Sequence, residues 1–548
     1  MNKKIRLLDC TLRDGSYING SKFGSNTMKG IIRRLKEAKL DIIECGWLKD
    51  APYEDGTTYF HVPTDAIPFI GDKGTDTTFV AMIDYNRYDV VKLPYCDNQS
   101  IDAIRVVFPR GQVSAGMALA NPIREKGYKL YYQAANTLGY SDRELLDLID
   151  QINEVRPEAV SIVDTFGAMY PEDLDRVMSI FLNNLDEGIR IGFHGHNNMQ
   201  LSFSLAIQFA RRMTEADREC ILDSSLCGMG RGAGNATTEL VASFLNRRYQ
   251  GNYDMDSIMD AIDVFMVPFQ EKYQWGYSTP TFIAGLYCSH VNNIDYLLKN
   301  HRTNAREMRS IIDSLDPEDR LKYDYDLLEE KYIQNQNRLI DDEDNMAFLR
   351  ERFSGREILL IAPGKKSLEE KERIDKYIND RNAIIIAVNA LLPDYKYDYL
   401  FLQSRVRYDY AKESYTEQFE NTKRILLSNI KTKADDNEII VRYERAIQRG
   451  YDYFDNAVIC LLRLLDKLRT KTIAIAGFDR LGEKYNESYA DPELPTIHGE
   501  QDWNKLNNSI KHIYRDFRKT THDSVNVRFL TESVFATEWD VNDIKGRK

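Results

Sequence analysis

Long apolar runs and clusters of basic residues are both missing from this sequence of 548 residues. No stretch reaches the roughly 18 to 20 apolar residues that a membrane-spanning helix needs. The N-terminus, MNKKIRLLDC, enters a strand-like segment without the apolar core of a signal peptide. The formal net charge is −12, and no long run of Lys and Arg is available to face phosphates. We therefore expect a cytoplasmic protein that binds neither membranes nor nucleic acid.

Paired cysteines are missing as well. The seven cysteines are scattered, and no two of them are spaced as CxxC. This argues against a zinc ribbon or a disulfide framework and is typical of a reducing compartment. There is no internal repeat and no low-complexity tract. With 43% hydrophobic and 29% charged residues, the chain has the composition of a globular protein, and its length allows two to four domains.

Eight short apolar runs rich in β-forming residues recur between the N-terminus and about residue 225. They cover 5–10, 41–46, 78–83, 103–108, 129–134, 159–164, 190–196 and 219–225. Amphipathic helical segments such as SDRELLDLIDQINEV separate them. Eight βα units in about 250 residues predict a (β/α)8 TIM barrel. Active sites of such barrels lie at the C-terminal ends of the strands, so the polar residues there are the candidates for function.

The rest of the chain has two parts. After a barrel domain over 1–275, residues 276–355 are strongly charged and helical in pattern, and we expect a helical extension and connector there. Seven further apolar runs alternate with helical patterns over 356–548, which predicts a doubly wound, Rossmann-like α/β domain of unknown role. In it, Gly364 follows a strand at a place suited to an anion, but the first glycine of a P-loop is missing. Asp479 follows another strand, where open sheets tend to bind ligands.

The tripeptide His194-Gly195-His196 ends the seventh predicted strand. Residues i and i+2 of a strand face the same side, so both imidazoles can point at one ion. Two such histidines alone are more often polar surface, but the barrel also brings Asp14, after the first strand, to the same mouth. Two nitrogens and one carboxylate leave open positions for a substrate, as in catalytic metal sites. We therefore favour a metal centre.

A glycine-rich segment, DSSLCGMGRGAGNATTELV (223–241), follows the eighth predicted strand. It permits three interpretations. A dinucleotide or phosphate loop is disfavoured, because that fingerprint follows the first strand of a βαβ unit and needs an acidic partner on the second strand. The second is a tight turn at the barrel mouth. The third is a backbone that brings Asn235 close to the metal.

The motifs LLDCTLRDG, GFHGHNN and GMGRGAGNATTE occur in this order at the ends of predicted strands. Together they resemble the DRE-TIM metallolyase (HMGL-like) superfamily, which includes 4-hydroxy-2-oxovalerate aldolase, hydroxymethylglutaryl-CoA lyase and isopropylmalate synthase. The resemblance covers about residues 4–300. The segment WGYSTPTFIAGLYCSH (275–290) is further similar to the aldolase branch, in which a Gly-Tyr segment closes over the site.

The resemblance implies a divalent metal held by Asp14, His194 and His196, with Asn235 as a candidate fourth ligand. The expected ion is Mn²⁺ or Mg²⁺, with Co²⁺ or Zn²⁺ as alternatives. It also implies that Arg13 faces the oxygen of an enolate. The chemistry agrees, since a metal polarises the keto group of a 2-oxo acid, and a guanidinium that cannot lose its proton stabilises the developing charge.

Two further residues match family positions. Thr165 corresponds to a contact with the substrate carboxylate, and Glu44 to a residue that lines the pocket floor. The resemblance also implies a homodimer. These assignments rest on the family pattern alone.

Tyr17 departs from that pattern. In the hydroxy-oxovalerate aldolases the position three residues after the metal aspartate carries a histidine, the general base for the substrate hydroxyl. A phenol with a pKa near 10 is a poor base unless nearby cations lower that value. Either Tyr17 is activated by Arg13 and the metal, or it only hydrogen-bonds the substrate while a water or Tyr277 transfers the proton. A third alternative is that Tyr17 simply packs at the barrel mouth.

We expect from these observations a metal-dependent aldolase that forms or cleaves a C–C bond between the enolate of a 2-oxo acid such as pyruvate and an aldehyde. A Claisen-type acyl-CoA synthase is the near alternative, although such enzymes usually show RDGEQ where this chain has RDGSY. A different alternative is that the C-terminal domain carries the function, as a nucleotide-sugar-linked transferase or a sensor. The presence of all four candidate metal ligands together with Arg13 argues against an inactive barrel.

Overall fold

The structure is a computed structural model that describes residues 4–74, 76–301, 303–337, 340–432, 435–451, 456–482, 488–495 and 502–542. The chain divides into two compact units. The first comprises Met1–Ile294 and Asp316–Lys322, and the second comprises Asp295–Leu315 and Tyr323–Lys548.

Eight parallel strands form a closed barrel in the first unit. They are β1 Ile5–Asp9, β2 Ile42–Leu48, β3 Thr78–Asp84, β4 Ala103–Pro109, β5 Lys129–Ala135, β6 Ala159–Asp164, β7 Arg190–Gly195 and β8 Cys220–Ser224. Each strand pairs with the next, and β1 pairs with both β2 and β8, which closes the ring. A two-residue strand, Tyr59–Phe60, adds to β2. The predicted TIM barrel is therefore confirmed.

Amphipathic helices cover the outside of the barrel. The helix Asp142–Val155 is representative: it buries Leu145, Leu148, Ile149 and Ile152, which recur at helical spacing on one face. It begins at a capping box, in which Ser141 accepts the N–H of Glu144 and the Glu144 carboxylate accepts the N–H of Ser141. The helices of this part are Thr11–Asp14, Ser16–Asn19, Ser25–Glu37, Ile67–Ile70, Val113–Ala118, Ala120–Glu125, Asp142–Val155, Pro171–Asn184, Ser202–Glu215, Thr238–Arg248, Met255–Ala261 and Val267–Lys272.

The barrel interior has an apolar layer and a polar layer. The apolar layer is a separate cluster that includes one residue from each of seven strands: Leu8, Ile42, Val80, Ala103, Tyr131, Ala159 and Ile221. Side chains on a strand alternate, so the residue two positions further on also points inward and lies nearer the C-terminal end. On five strands that residue is polar and buried: Glu44, Arg105, Gln133, Ser161 and Asp223. The interior of the barrel therefore becomes polar toward the end where catalytic residues are expected.

The segment after the barrel is helical. Its helices are Thr279–Leu286, Val291–His301, Ala305–Asp313, Pro317–Arg320, Tyr325–Gln336 and Glu343–Phe353. Among the described residues, no helix combines the length and the apolar character that crossing a membrane requires.

The second unit contains an open parallel sheet. Its strands are β9 Glu357–Ile361, β10 Ile384–Val388, β11 Tyr399–Leu402, β12 Lys423–Leu427, β13 Glu438–Val441, β14 Thr472–Ala476, β15 Asn526–Phe529 and β16 Val541–Asn542. The order across the sheet is β13-β12-β11-β10-β9-β14-β15-β16. Successive strands are added on one side of β9 up to β13 and on its other side from β14 onward, so the strand order reverses between β9 and β14. The helices are Lys366–Glu369, Lys371–Asp380, Arg405–Ser414, Thr416–Asn421, Ala457–Lys467 and Trp503–Thr521. This is the doubly wound α/β fold that the sequence predicts, with one extra, two-residue strand, β16.

Leu148→Ala should destabilise the barrel, because it leaves a cavity between the helix Asp142–Val155 and the strands. Leu148 is fully buried, and truncating such a leucine costs about 2–5 kcal/mol of the free energy of unfolding. Asp150→Ala, at an exposed position of the same helix, should change it by less than about 0.5 kcal/mol. Urea denaturation followed by circular dichroism measures both. Equal midpoints for the two variants would contradict this packing.

Candidate metal centre and active site

A short helix, Thr11–Asp14, follows β1, and Asp14 is its last residue. The chain turns there because Cys10 donates its N–H to the carbonyl of Ser224 at 2.8 Å, which fastens the end of β1 to β8. The Asp14 side chain is buried. This turn therefore directs a carboxylate into the mouth of the barrel.

His194 and His196 flank the C-terminal end of β7, and both are buried. Their rings are perpendicular, with centroids 5.0 Å apart. One ligand atom from each histidine and one from Asp14 all lie within 4.8 Å of one another. The three residues are thus brought together, as their positions in the sequence predict.

Asn235 completes this cluster from the glycine-rich segment. Its Nδ2 donates to Oδ2 of Asp14 at 2.7 Å, and its backbone pairs with that of His196. The segment passes so close that a side chain at Gly230 would collide with the side chains of Asn235 and Asp14. Of the three interpretations of the glycines, this geometry matches the one that brings Asn235 to the metal ligands.

The protonation states of the cluster fit a divalent cation. Burial is the largest single effect and raises the pKa of Asp14, but Arg13, the two histidines and the hydrogen bond from Asn235 together outweigh it, and the net pKa is well below the usual range. Desolvation lowers the pKa of His196 to about 4 against the opposing effect of Asp14, so the imidazole is neutral at physiological pH. Metals bind the ionised carboxylate and the neutral imidazole. Both are the forms present here.

Two buried acceptor atoms of the cluster have no hydrogen-bond partner among the described residues. They are Nδ1 of His196 and Oδ1 of Asn235. A buried polar atom without a partner costs about 1–3 kcal/mol. A cation bound by nitrogen and oxygen would relieve that cost, and the donor set of two imidazoles, one carboxylate and one amide fits such an ion.

A chain of buried charges supports the cluster from inside the barrel. Arg13 donates through Nη1 to Oδ1 of Asp14 at 2.5 Å and through Nε to Oε2 of Glu44 at 2.7 Å. Arg105 lies 2.9 Å from the same Glu44 oxygen and also binds Oδ2 of Asp223. Asp223 Oδ2 in turn lies 3.1 Å from Nδ1 of His194.

This chain orients both ends of the metal centre. Because Asp223 engages Nδ1 of His194, the other ring nitrogen, Nε2, is the one left for a metal, an arrangement common around metal-binding histidines. At the other end Arg13 fixes Asp14. Sequence reasoning assigned Glu44 to the pocket floor; in the structure it holds Arg13 and Arg105 and is fully buried.

Thr165 follows β6 and is half-buried. Its hydroxyl oxygen accepts the N–H of Asn136 at 2.7 Å, which ties the ends of β5 and β6 together. The hydroxyl hydrogen is still available to a substrate, since a hydroxyl both accepts and donates.

Tyr17 lies between a cationic and an aromatic neighbour at the mouth of the barrel. The Arg231 guanidinium lies 4.9 Å from the centre of its ring, and Trp47 contacts it edge-on at 6.3 Å. Part of the ring is exposed, at 44%, but desolvation of its hydroxyl raises the pKa of Tyr17 despite the opposing effect of Arg231 and Arg13. The phenol is therefore protonated at physiological pH and suited to donate a hydrogen bond.

Tyr277 is 59% exposed, and its hydroxyl bonds to none of the described residues. Its neighbours are anchored to the barrel loops: Trp275 donates to the carbonyl of Cys227 at 3.0 Å, and His290 bonds to Arg231. The structure does not bring Tyr277 into the polar network of the metal centre.

Parts of this chain are similar to known proteins. Residues 113–265 match the sequence model of the HMGL-like family. This match lies within the unit that contains the barrel. The chain is 25% identical over 264 residues to oxaloacetate decarboxylase of Mycobacterium tuberculosis, covering 46% of this chain and 74% of that protein. It is 27% identical over 281 residues to 4-hydroxy-2-oxovalerate aldolase 2 of Salinispora arenicola, covering 48% and 75%.

Solved structures resemble this chain more distantly. The carboxyl transferase domain of Rhizobium etli pyruvate carboxylase has 14% sequence identity and a TM-score of 0.47, and the match covers 64% of this chain and 65% of that one. More than half of this chain lies outside the match to each of these two relatives.

Two residues of the charge chain were not predicted as site residues. Arg105 lies in the apolar run AIRVVF, and Asp223 lies in β8. The sequence does contain one indication for Arg105: it is the single charged residue of an otherwise apolar run. A charged residue that points inward from such a strand requires a buried partner. Asp223 lies in the apolar run 219–225 that predicts the eighth strand, but one of its partners, Arg105, lies 118 positions earlier in the chain.

Asp14→Asn should weaken Mn²⁺ binding by about two orders of magnitude, because it removes the only negative charge among the candidate ligands. Asp223→Asn should weaken it by about 10–100-fold, since it releases His194 without removing a ligand. Asp256→Asn, at an exposed position, is the matched control. Electron paramagnetic resonance of free Mn²⁺ measures the affinities. Unchanged affinity in Asp14→Asn would refute the ligand set.

Proposed function

We propose that the barrel is a divalent-metal-dependent carbon–carbon lyase that forms or cleaves a bond between the enolate of a 2-oxo acid, such as pyruvate, and an aldehyde. The observation that carries this proposal is the buried cluster of Asp14, His194 and His196 with Arg13 directly beside it. The names of the two relatives agree with a 2-oxo acid as substrate.

Asp14, His194 and His196 would hold the metal, with Asn235 as a fourth contact. When bound, a divalent ion supplies Lewis acidity to the keto oxygen of the substrate. Mn²⁺ or Mg²⁺ suits the carboxylate and amide oxygens, and Co²⁺ or Zn²⁺ suits the two imidazoles. The charge balance also favours a cation, since two arginines of the charge chain face three carboxylates.

Arg13 would stabilise the negative charge that develops on the enolate oxygen. Its Nε and Nη1 bind Glu44 and Asp14, which leaves Nη2 for a substrate oxygen. Burial between two carboxylates keeps the guanidinium charged and fixes its plane. A preorganised, desolvated donor of this kind stabilises a transition state more than a solvated one. Glu44 acts here as a positioning residue, and Thr165 would donate its hydroxyl to the substrate carboxylate.

Proton transfer is the step for which the chain is unlike the hydroxy-oxovalerate aldolases. Cleaving a 4-hydroxy-2-oxo acid requires a base for the hydroxyl proton, and a Tyr17 with a raised pKa is a poor one. We propose that Tyr17 donates a hydrogen bond that orients the aldehyde oxygen. A water molecule then takes up the proton of the substrate hydroxyl. Tyr277 lies on an exposed segment and would reach the metal centre only if that segment moved.

Decarboxylation of a 2-oxo acid such as oxaloacetate is a second candidate. It passes through the same enolate, but no hydroxyl has to be deprotonated, so it does not need the base that Tyr17 fails to supply. The similarity to oxaloacetate decarboxylase favours this candidate. A homodimer and a catalytic domain over 1–275 stay predictions.

Deuterium exchange into pyruvate tests the shared enolate chemistry. The Mn²⁺-loaded protein in D₂O should exchange the methyl hydrogens of pyruvate, and nuclear magnetic resonance should show its methyl signal decay. Asp14→Asn should abolish this exchange, and Asp256→Asn should retain it. No exchange with pyruvate or other 2-oxo acids under any of the four metals would exclude the lyase proposal. Turnover of acyl-CoA without exchange would favour the Claisen alternative.

Tyr17→Phe separates the two candidates. If Tyr17 orients an aldehyde oxygen, kcat/KM for aldol cleavage should fall by about 10²-fold or more, whereas decarboxylation of oxaloacetate should change little. Tyr95→Phe, at an exposed tyrosine away from the metal ligands, is the control. Steady-state assays with a 4-hydroxy-2-oxo acid and with oxaloacetate measure both rates. Equal aldol rates in Tyr17→Phe and the wild type would show that Tyr17 only packs at the mouth.

A further inference from the structure

The second unit contains a cavity of about 170 Å³ at the C-terminal edge of its sheet. Four strands end at its wall, where Ala362, Asn389, Gln403 and Gly477 directly follow β9, β10, β11 and β14. The strand order reverses between β9 and β14, and open α/β sheets bind ligands in the crevice at such a point. An engineered cavity of about 150 Å³ admits benzene, so a six-membered ring fits here.

The first turns of three helices line this cavity. They belong to the helices Ala305–Asp313, Arg405–Ser414 and Ala457–Lys467, whose N-cap residues are Asn304, Ser404 and Asn456. Each N-cap side chain accepts a backbone N–H of its own helix, but the first turn of a helix offers four such donors. Three positive helix ends at one cavity favour an anionic group.

Two buried side chains add donors to the same cavity. Arg407 is only 9% exposed and lies in the first turn of the helix Arg405–Ser414. Gln336 is 3% exposed; its Oε1 accepts from Asn429, but its Nε2 makes no hydrogen bond to the described residues. This amide nitrogen is therefore available to donate to an acceptor on a bound molecule.

Acceptor atoms on the cavity wall are also left without partners. Asp479 uses Oδ2 to accept the N–H of Lys366 at 2.9 Å, while its Oδ1 is buried and bonds to none of the described residues. The Oδ1 atoms of Asn389 and Asn429 are in the same state. These three oxygens can accept hydrogen bonds from O–H or N–H groups of a bound molecule, and hydroxyl groups are one such class of donor.

We propose that this cavity binds a phosphorylated small molecule that carries hydroxyl groups, the chemistry shared by sugar phosphates and nucleotides. The phosphate would face Arg407 and the helix N-termini, because a guanidinium and backbone N–H groups match its oxygens. The hydroxyl groups would donate to Asp479, Asn389 and Asn429. This site lies wholly within the second unit, and the proposal does not depend on the activity of the barrel.

Isothermal titration calorimetry of the full-length, metal-free protein tests the proposal with two arms. Glucose 6-phosphate and glucose form the sugar arm, and UMP and uridine form the nucleotide arm. In at least one arm the phosphorylated compound should bind about tenfold or more tightly than its unphosphorylated partner, as expected for one charge-assisted contact. The arm that responds identifies the source of the phosphate.

Ser404→Asp localises the binding. Aspartate is as good an N-cap as serine, so the helix Arg405–Ser414 should persist, while the new carboxylate should repel the phosphate and weaken binding about tenfold or more. Arg407→Gln should weaken it similarly. Arg405→Gln, on the same helix but outside the cavity wall, and Asp14→Asn, in the barrel, should bind as the wild type does, and thermal unfolding confirms that each variant is folded.

Two results would overturn the proposal. One is that neither phosphorylated compound binds at concentrations up to about 1 mM, which corresponds to a free energy weaker than about −4 kcal/mol. The other is that binding survives Ser404→Asp and Arg407→Gln unchanged, which would locate it elsewhere.

Discussion

The barrel depends on one buried chain of charges that runs from Asp14 through Arg13, Glu44, Arg105 and Asp223 to His194. Every member is at most 5% exposed at its side chain, so no water compensates a lost partner. Removing one partner of such a buried pair costs about 3–5 kcal/mol, because the remaining charge is left uncompensated. The same contacts that hold the interior together therefore fix the geometry of the candidate metal ligands.

The carboxylates of this charge chain outnumber its guanidinium groups by three to two. The nearby His196, whose pKa desolvation lowers to about 4, adds no positive charge at physiological pH. A divalent ion at Asp14 would turn this excess of negative charge into a small excess of positive charge. That change would attract the carboxylate of a 2-oxo acid into a pocket that would otherwise repel it. Metal binding and substrate binding would then be coupled through the barrel interior.

The fold and the ligand cluster were predictable for the same reason. Strand periodicity locates the ends of β1 and β7, and Asp14, His194 and His196 lie at or just beyond those ends, so topology alone brings them together. The charge chain was not predictable. Arg105 and Asp223 meet across the barrel although they are separated by 118 positions, and no local pattern records such a pairing. The strands Tyr59–Phe60 and Val541–Asn542 were missed because two residues cannot show a period.

The cavity of the second unit, unlike the metal ligands of the barrel, could not be predicted from the sequence. Its cavity is built from single polar residues that follow separate strands, and from the first turns of helices that are far apart in the chain. None of them forms a motif, and Gly364 and Asp479, the two residues that the sequence singled out, are ordinary at the level of local pattern. What distinguishes the cavity is the set of polar residues that line it together, which only the folded sheet brings to one place. Short motifs at strand ends therefore reveal the candidate metal ligands of the barrel, whereas the residues that line the cavity of the second unit come from separate strands and helices and form no motif.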